Sequence, residues 1–337
     1  MRILGYCAIA PLALAVSSCT VDGDKWAPDK LAHGKSIAAD EKLQRGQASY
    51  NMYCSGCHGE AGDGEGPAAK FLSPKPRDLR KGKVKFASVA AGEMPTDDDL
   101  ARTITRGLHG TSMPSWRLLP KDEVEDIIAY VKTFTPNRKP PGGIIAIPPD
   151  PWVKSPDKGV REGEKLYHGL AACMSCHPAY VERSKIADYM KAYDMPSSGF
   201  RDNLYSGDTK DSEWGQPITP PDFLADYIKS GTQREDLVRV IATGVGGTAM
   251  PSWGQTLNAK QLWGLAYYVE HLATLRGSAK AKEMKQAMLD QPEYKPPPPP
   301  PPPPPPEPSA DPSADPGASA SAAPTAAPSA TPTAAPK

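Results

Sequence analysis

Two short motifs in this sequence of 337 residues combine residue types that bind metals and form thioether bonds. Each motif has the spacing C-x-x-C-H, and the residues concerned are Cys54, Cys57 and His58 in the first and Cys173, Cys176 and His177 in the second. Two thiols three positions apart can reach the two vinyl groups on one edge of a haem, and the adjacent imidazole can then bind the iron. The spacing therefore predicts two covalently attached haem c groups, each with a histidine as one axial ligand.

The same C-x-x-C spacing also occurs in zinc sites and in dithiol redox sites. A zinc site usually takes two further Cys or His residues at matching spacing, and none lies near either motif. A thioredoxin-like site needs a strand-helix-strand context, and strand patterns are absent from the sequence. Haem attachment is therefore the better interpretation of both motifs.

Each motif is followed downstream by Met-Pro-Ser-Trp, which begins at Met113 and at Met250. A thioether sulfur opposite a histidine is a known axial pair of haem iron and raises its reduction potential. Met94 and Met195, each also followed by proline, are the alternatives, although Met94 has no counterpart in the other half of the chain. We therefore predict Met113 and Met250 as the second iron ligands.

The two motif pairs belong to an internal repeat. A shift of 137 residues superimposes Met113-Pro-Ser-Trp on Met250-Pro-Ser-Trp, whereas the C-x-x-C-H motifs need a shift of only 119. The second copy therefore has about 18 extra residues between its histidine and its methionine, which we place within Tyr189–Trp214. Such a repeat indicates duplication of one unit, and each unit should fold alone.

Both copies are predicted to be helical. Helix-compatible stretches precede the two motifs, at 42–53 and 160–172, and apolar residues recur at spacings of three and four after the two methionines, at 124–131 and 262–269. Asn258 is the expected N-cap of the last of these helices. The stretches rich in Gly and Pro are predicted loops, at 59–76 and 196–221.

We predict an all-α chain of two tandem domains that are joined by a Pro-rich linker and followed by a disordered tail rich in Pro, Ala and Ser. Pro-Pro-Gly-Gly and Pro-Pro-Asp-Pro leave the linker without helix potential. The predicted parts are a lipoprotein signal peptide at 1–18, a spacer at 19–41, the first module at 42–136, the linker at 137–156, the second module at 157–276, a helical extension at 277–294 and the tail at 295–337.

The N-terminus has the pattern of an export signal. A positive residue precedes an apolar stretch at 3–16 that is too short to span a bilayer, and Val-Ser-Ser-Cys follows at 16–19. This segment resembles the lipobox of bacterial lipoproteins, which implies that Cys19 carries lipid; an ordinary cleaved signal is the alternative. The expected location is the periplasmic side of a bacterial membrane. Thr20 favours the outer membrane, and the inner membrane stays open for a subunit of a complex.

The residues around the first motif resemble a class I cytochrome c. They comprise Gly46 and Tyr50 ahead of the motif, Gly-Asp-Gly-x-Gly-Pro at 62–67 behind it, and Met113-Pro-Ser-Trp. The second module shares the Gly-x-x-x-Tyr pattern and the Met-Pro-Ser-Trp, but it lacks the glycine-rich segment. The resemblance implies a small all-α fold in which the N- and C-terminal helices cross beside the haem.

Several other residues are expected near the haems. The pattern Pro-x-Asp at 76–78 echoes the same pattern at 220–222, and we expect it at the haem edge that carries the propionates. Lys75 and Arg77 could pair with a propionate there. Four aromatic residues are expected to pack in the haem pockets, namely Trp116, Tyr130, Trp253 and Tyr267.

Iron with both axial positions filled favours electron transfer over catalysis, because no open site is left for a substrate. We therefore expect a membrane-anchored di-haem electron carrier of a periplasmic respiratory chain, with cytochromes, an oxidase or a quinol-oxidising complex as its redox partners. A di-haem enzyme is the alternative. A thiosulfate dehydrogenase would need a spare cysteine as axial ligand, and a cytochrome c peroxidase would need a vacated methionine position. The formal net charge of +0 offers no basic stripe for nucleic acid.

Overall fold

The computed structural model describes residues 41–135, 137–196 and 200–292. The predicted signal peptide, Cys19, nearly all of the spacer and the Pro-rich tail lie outside these residues. The described part is mostly helical, which confirms the predicted fold class. Its α-helices are α1 (Glu41–Tyr53), α2 (Ser55–His58), α3 (Asp97–Arg106), α4 (Lys121–Thr133), α5 (Pro156–His168), α6 (Arg183–Lys191), α7 (Arg234–Thr243), α8 (Ala259–Thr274) and α9 (Ala279–Leu289). Within these described ranges, no helix combines the length and the apolar character that a membrane crossing requires.

Two helices of each module, one before the haem-attachment motif and one after the methionine loop, cross in close contact. In the first module α1 crosses α4, and Gly46 lies against the main-chain carbonyl of Asp126. In the second module α5 crosses α8, and Gly163 lies against the carbonyl of Gly264. A side chain at Gly46 or Gly163 would meet backbone atoms, so glycine allows the helices to approach this closely. The crossing that the resemblance implies is thus present in both modules.

Two helices begin with a capping box, in which the cap residue and the third helical residue bind each other's main-chain amides. Thr96 and Asp99 form this box at α3, and Asn258 and Gln261 form it at α8. The predicted N-cap at Asn258 is confirmed. This cap fixes the point at which the chain leaves the loop of Met250 and enters α8.

The second module contains a helix and a pair of short strands, in and around the extra segment, that the sequence did not predict. Helix α6 begins at Arg183, before the region in which we placed the insertion. Strand β1 (Lys210–Asp211) pairs antiparallel with β2 (Pro217–Ile218), so the prediction of a loop throughout 196–221 was wrong at these residues. Strands of two residues are too short to show an alternating pattern, and Gly215, with φ +69°, closes the turn between them.

The linker packs against both modules. The amide of Ile145 donates a hydrogen bond to the carbonyl of Ser88 in the first module, at 2.8 Å. In the second module, the indole Nε1 of Trp263 donates to the carbonyl of Pro148, also at 2.8 Å. The repeat suggests two units that fold alone, whereas in the structure both modules and the linker belong to one compact unit.

The modules also contact each other directly. The amide of Gly246 in the second module donates to the carbonyl of Lys85 in the first, at 2.9 Å. The guanidinium of Arg106 lies 2.8 Å from a carboxylate oxygen of Asp236, whose side chain is almost fully buried. A buried carboxylate needs such a partner, so this ion pair ties α3 of the first module to α7 of the second.

Gly163→Ala tests the helix crossing. We expect it to lower the free energy of unfolding by about 1–3 kcal/mol, because the added methyl group overpacks the contact with the carbonyl of Gly264. Urea unfolding of the haem-loaded protein, followed by circular dichroism, measures this change. Gly143→Ala is the matched control, since a Cβ there meets no atom within 4 Å. Equal stabilities of the two variants would contradict the role assigned to the crossing.

Candidate haem-binding sites

The first C-x-x-C-H motif lies in the wall of a crevice in the first module. Helix α1 ends at Tyr53, and the short helix α2 carries the motif through to His58. The crevice contains about 1320 Å³ of space, part of it open to solvent, and its wall includes Cys54, Cys57 and Met113 as well as His58. The structure therefore brings together all four site residues that the sequence predicts for this module.

The second motif lines a crevice in the second module that contains about 1660 Å³ of space, part of it open to solvent. The four predicted site residues of this module all lie in its wall, namely Cys173, Cys176, His177 and Met250. The ring of Phe223 stacks on the imidazole of His177, with ring centroids 4.9 Å apart and an angle of 20° between the planes. This stacking restricts the rotation of the imidazole.

Of the four aromatic residues expected in the pockets, two lie there. Trp116 lines the first crevice and Trp253 the second. The expectation was wrong for Tyr130 and Tyr267, which lie at the helix crossings. Tyr130 packs against Tyr50 of α1, with ring centroids 5.3 Å apart, and Tyr267 packs against α5. Both tyrosines occupy the face of their helix that meets the first helix of the module rather than the face toward the crevice.

Hydrogen bonds to the main chain orient both motif histidines. Nδ1 of His58 lies 3.0 Å from the carbonyl oxygen of Arg77, and Nδ1 of His177 lies 3.1 Å from that of Pro221. Because a carbonyl only accepts, each Nδ1 carries the proton and donates, and each Nε2 keeps its lone pair for a metal. Burial lowers the pKa of both histidines, which favours the same neutral form.

The repeated Pro-x-Asp pattern supplies these two carbonyl groups. Arg77 and Pro221 are its middle residues, at 76–78 and 220–222. In both copies the aspartate side chain accepts a hydrogen bond at 3.0 Å from the main-chain amide two positions further on, which turns the chain. The sequence indicated that the pattern recurs near the haems, but its function as the acceptor for the motif histidines was missed.

A glycine-rich segment satisfies the carbonyl groups at the end of the first motif. The amide of Gly66 donates to the carbonyl of Cys57 at 3.2 Å, and the amide of Gly64 donates to that of His58 at 2.8 Å. Buried carbonyl groups need such donors. Gly66 can approach because it has no side chain, since a Cβ at this position would lie 2.8 Å from the carbonyl carbon of Cys57.

The extra segment takes over this function in the second module. The amide of Asp208 donates to the carbonyl of Cys176, and the guanidinium of Arg201 donates to the carbonyl of His177, both at 2.7 Å. Arg201 also donates to the carbonyl of Met174 inside the motif, at 3.0 Å. Sequence reasoning missed Arg201, because a single arginine in a loop forms no recognisable pattern.

A buried tyrosine holds the residue that follows each motif. The hydroxyl of Tyr50 donates to the carbonyl of Gly59 at 2.7 Å, and the hydroxyl of Tyr167 donates to that of Pro178 at 2.9 Å. Each tyrosine lies four residues after the glycine of the helix crossing, hence on the same face of its helix. The Gly-x-x-x-Tyr spacing therefore links the crossing to the haem-attachment turn.

The two methionine loops share their internal hydrogen bonds. The hydroxyl of Thr111 accepts from the amide of Met113 at 3.1 Å, and that of Thr248 accepts from the amide of Met250 at 3.2 Å. The carbonyl of each methionine accepts from the amide five residues earlier, at 3.2 and 3.3 Å. These bonds fix the backbone from which each thioether enters the wall of its crevice.

The alternative methionines lie elsewhere in the described part of the chain. Neither Met94 nor Met195 belongs to the described walls of the two crevices. The side chain of Met94 covers Gly82, where a Cβ would lie 2.9 Å from its sulfur. Met195 packs against the hydrophobic core of the second module.

These features fit covalently held haem. Burial raises the pKa of Cys54 and of Cys173 to about 12, so both thiols are neutral, unlike the reactive thiolates of a dithiol redox site. Over the described ranges, no three His, Cys, Asp or Glu side chains cluster as ligands of a bare metal ion. The residues present would hold a haem through two thioether bonds and one neutral imidazole, with mostly apolar walls around the porphyrin.

Comparisons with known proteins agree with this geometry. The family described as "Cytochrome C oxidase, cbb3-type, subunit III" matches residues 41–131 and again residues 158–269. No curated protein matches the chain. A chain of the Kuenenia stuttgartiensis reducing HAO-like protein complex Kustc0457/Kustc0458 is similar, with 29% identity and a TM-score of 0.54 over 68% of this chain and 96% of that chain. The protein therefore belongs to this family of cytochromes c, and its two modules make it a di-haem c-type cytochrome.

Proposed function

We propose that the protein is an electron carrier whose two haems exchange electrons with each other and with redox partner proteins. The observation that supports this most directly is that the two crevices adjoin. Lys85, Phe86 and Lys229 line both of them. Electron transfer between haems requires a short separation, and crevices that share lining residues would hold the two haems as neighbours.

We further propose Met113 and Met250 as the second axial ligands. Each lies in the wall of the crevice that contains the histidine of the same module. An iron with histidine and methionine on its two axial positions has no open site for a substrate, and the thioether raises its reduction potential. Both properties suit a carrier of electrons better than an enzyme.

The membrane anchor and the partner complex are part of the proposal. The lipobox-like segment at 16–19 supports a lipid on Cys19, which would hold the protein at the periplasmic side of a bacterial membrane. A larger redox complex is the proposed partner. The family description, which names an oxidase subunit, and the similar chain, which belongs to a reducing HAO-like protein complex, support this partner.

The proposed carrier should contain two low-spin, six-coordinate haems as isolated. We expect the oxidised protein to show the weak methionine-to-iron charge-transfer band for both haems, and the reduced protein to leave carbon monoxide unbound. Visible absorption spectra before and after addition of carbon monoxide measure this. A high-spin haem that binds carbon monoxide or peroxide in the isolated protein would contradict the carrier and favour a di-haem enzyme.

Met113→Ala should open the iron of the first haem. We expect one of the two haems in the reduced variant to bind carbon monoxide, while both haems stay attached through their thioether bonds. Difference spectra and haem quantification measure the two results. Met94→Ala is the control and should leave both irons closed. Binding of carbon monoxide by Met94→Ala instead would assign the ligand to Met94.

Cys19→Ser should abolish the lipid anchor. In cells fed a labelled fatty acid, we expect the wild-type protein to carry the label. We expect the variant to be absent from the membrane fraction. Cys7→Ser is the matched control, because Cys7 lies inside the predicted signal peptide and leaves with it. Absence of label from the wild-type protein would contradict the lipoprotein and leave an ordinary cleaved signal.

A further inference from the structure

The wall between the two crevices carries positive charges from both modules. Lys85 comes from the first module and Lys229 from the second, and each lines both crevices. Arg77 lines the first crevice, and its guanidinium carbon lies 3.4 Å from the ring centroid of Trp214, a residue of the second module. We refer to Lys85, Lys229 and Arg77 as the interhaem cation cluster.

Within the part of the chain that the structure describes, no carboxylate forms an ion pair with this cluster. The charges of Asp78 and Glu213 reach Arg77, but Asp78 is paired with Arg80 at 2.9 Å. The neighbouring Lys83 does have such a partner, Glu213, at 2.6 Å. Burial, together with the nearby charges of Arg77 and Lys229, lowers the pKa of Lys85 to about 8. Partly buried cations that repel each other are unfavourable unless an anion joins them. The cluster is therefore expected to bind an anion from outside the polypeptide.

Haem bound in the two crevices would supply such anions. Each haem c carries two carboxylate groups, and both crevices border on the same cluster. We propose that the interhaem cation cluster binds carboxylate groups of both haems and thereby sets the two reduction potentials together. This inference rests on the proposed function, because it requires a haem in each crevice.

A shared cation acts on both irons. A positive charge near a haem favours the ferrous over the ferric state, since the ferric state carries one more positive charge. Lys85 and Lys229 each line both crevices, so removal of either charge should lower both reduction potentials rather than one. A lysine that belonged to a single pocket would change one potential only.

Lys85→Gln and Lys229→Gln test the proposal in the full-length, haem-loaded protein. Spectroelectrochemical titration should resolve two midpoint potentials, and both should fall in each variant. Lys85→Arg keeps the charge and should restore both potentials, which separates charge from packing. Lys121→Gln is the control for loss of a positive charge elsewhere, because the side chain of Lys121 is 92% exposed. It should leave both potentials unchanged.

The proposal would be overturned by unchanged potentials in both glutamine variants, by a fall of only one potential in each of them, or by the same fall in Lys121→Gln. If the potentials of the wild-type protein change with phosphate concentration and those of Lys85→Gln do not, the cluster binds a free anion. This result would also overturn the proposal. Spin state and haem content are measured on the same samples. Unchanged potentials with two low-spin haems refute only the cluster, whereas a high-spin wild-type haem refutes the carrier itself.

Discussion

Close packing of the first and last helices in each module is the constraint on which both haem sites depend. The first motif begins where α1 ends, and the methionine loop comes just before α4, so the contact between these helices brings both parts of the site to one crevice. Gly46 makes the contact possible, because its missing side chain leaves room for the carbonyl of Asp126. One turn further along the same face, Tyr50 extends the packing to the carbonyl of Gly59 behind the motif. Helix packing and haem attachment are thus parts of one arrangement, which recurs around Gly163 in the second module.

The haem-attachment turns show that one backbone requirement can be met by unrelated sequences. Each turn leaves carbonyl groups that need donors, and the first module provides amides of a glycine-rich segment. The second module lacks that segment and uses the guanidinium of Arg201 and the amide of Asp208 instead. The additional residues of the second module therefore support its haem-attachment turn. They are not a separate structure attached to the surface.

The sequence predicted those features that depend on local spacing. The C-x-x-C-H motifs, the helices before and after them and the N-cap at Asn258 all follow from residues that lie close together in the chain. The features that were missed depend on contacts between distant residues. The carbonyl of Arg77 accepts from His58, 19 residues away, and Tyr130 turns toward Tyr50 rather than the crevice. The periodicity of apolar residues shows that a helix has one apolar face, but it does not show which neighbouring element that face meets.

The two methionine loops share their internal hydrogen bonds and differ where the modules meet. His109 is exposed in the first loop, whereas its counterpart Gly246 is buried, and a Cβ there would meet the carbonyl of Val84. The repeat therefore diverges at this position because the backbone of the first module covers the second loop. Lys85 contributes to both features, since its carbonyl accepts from the amide of Gly246 and the residue lines both crevices. One short segment of the first module thus helps to position the loop of Met250 and places a charge between the two crevices, which two independent domains on a free linker would not achieve.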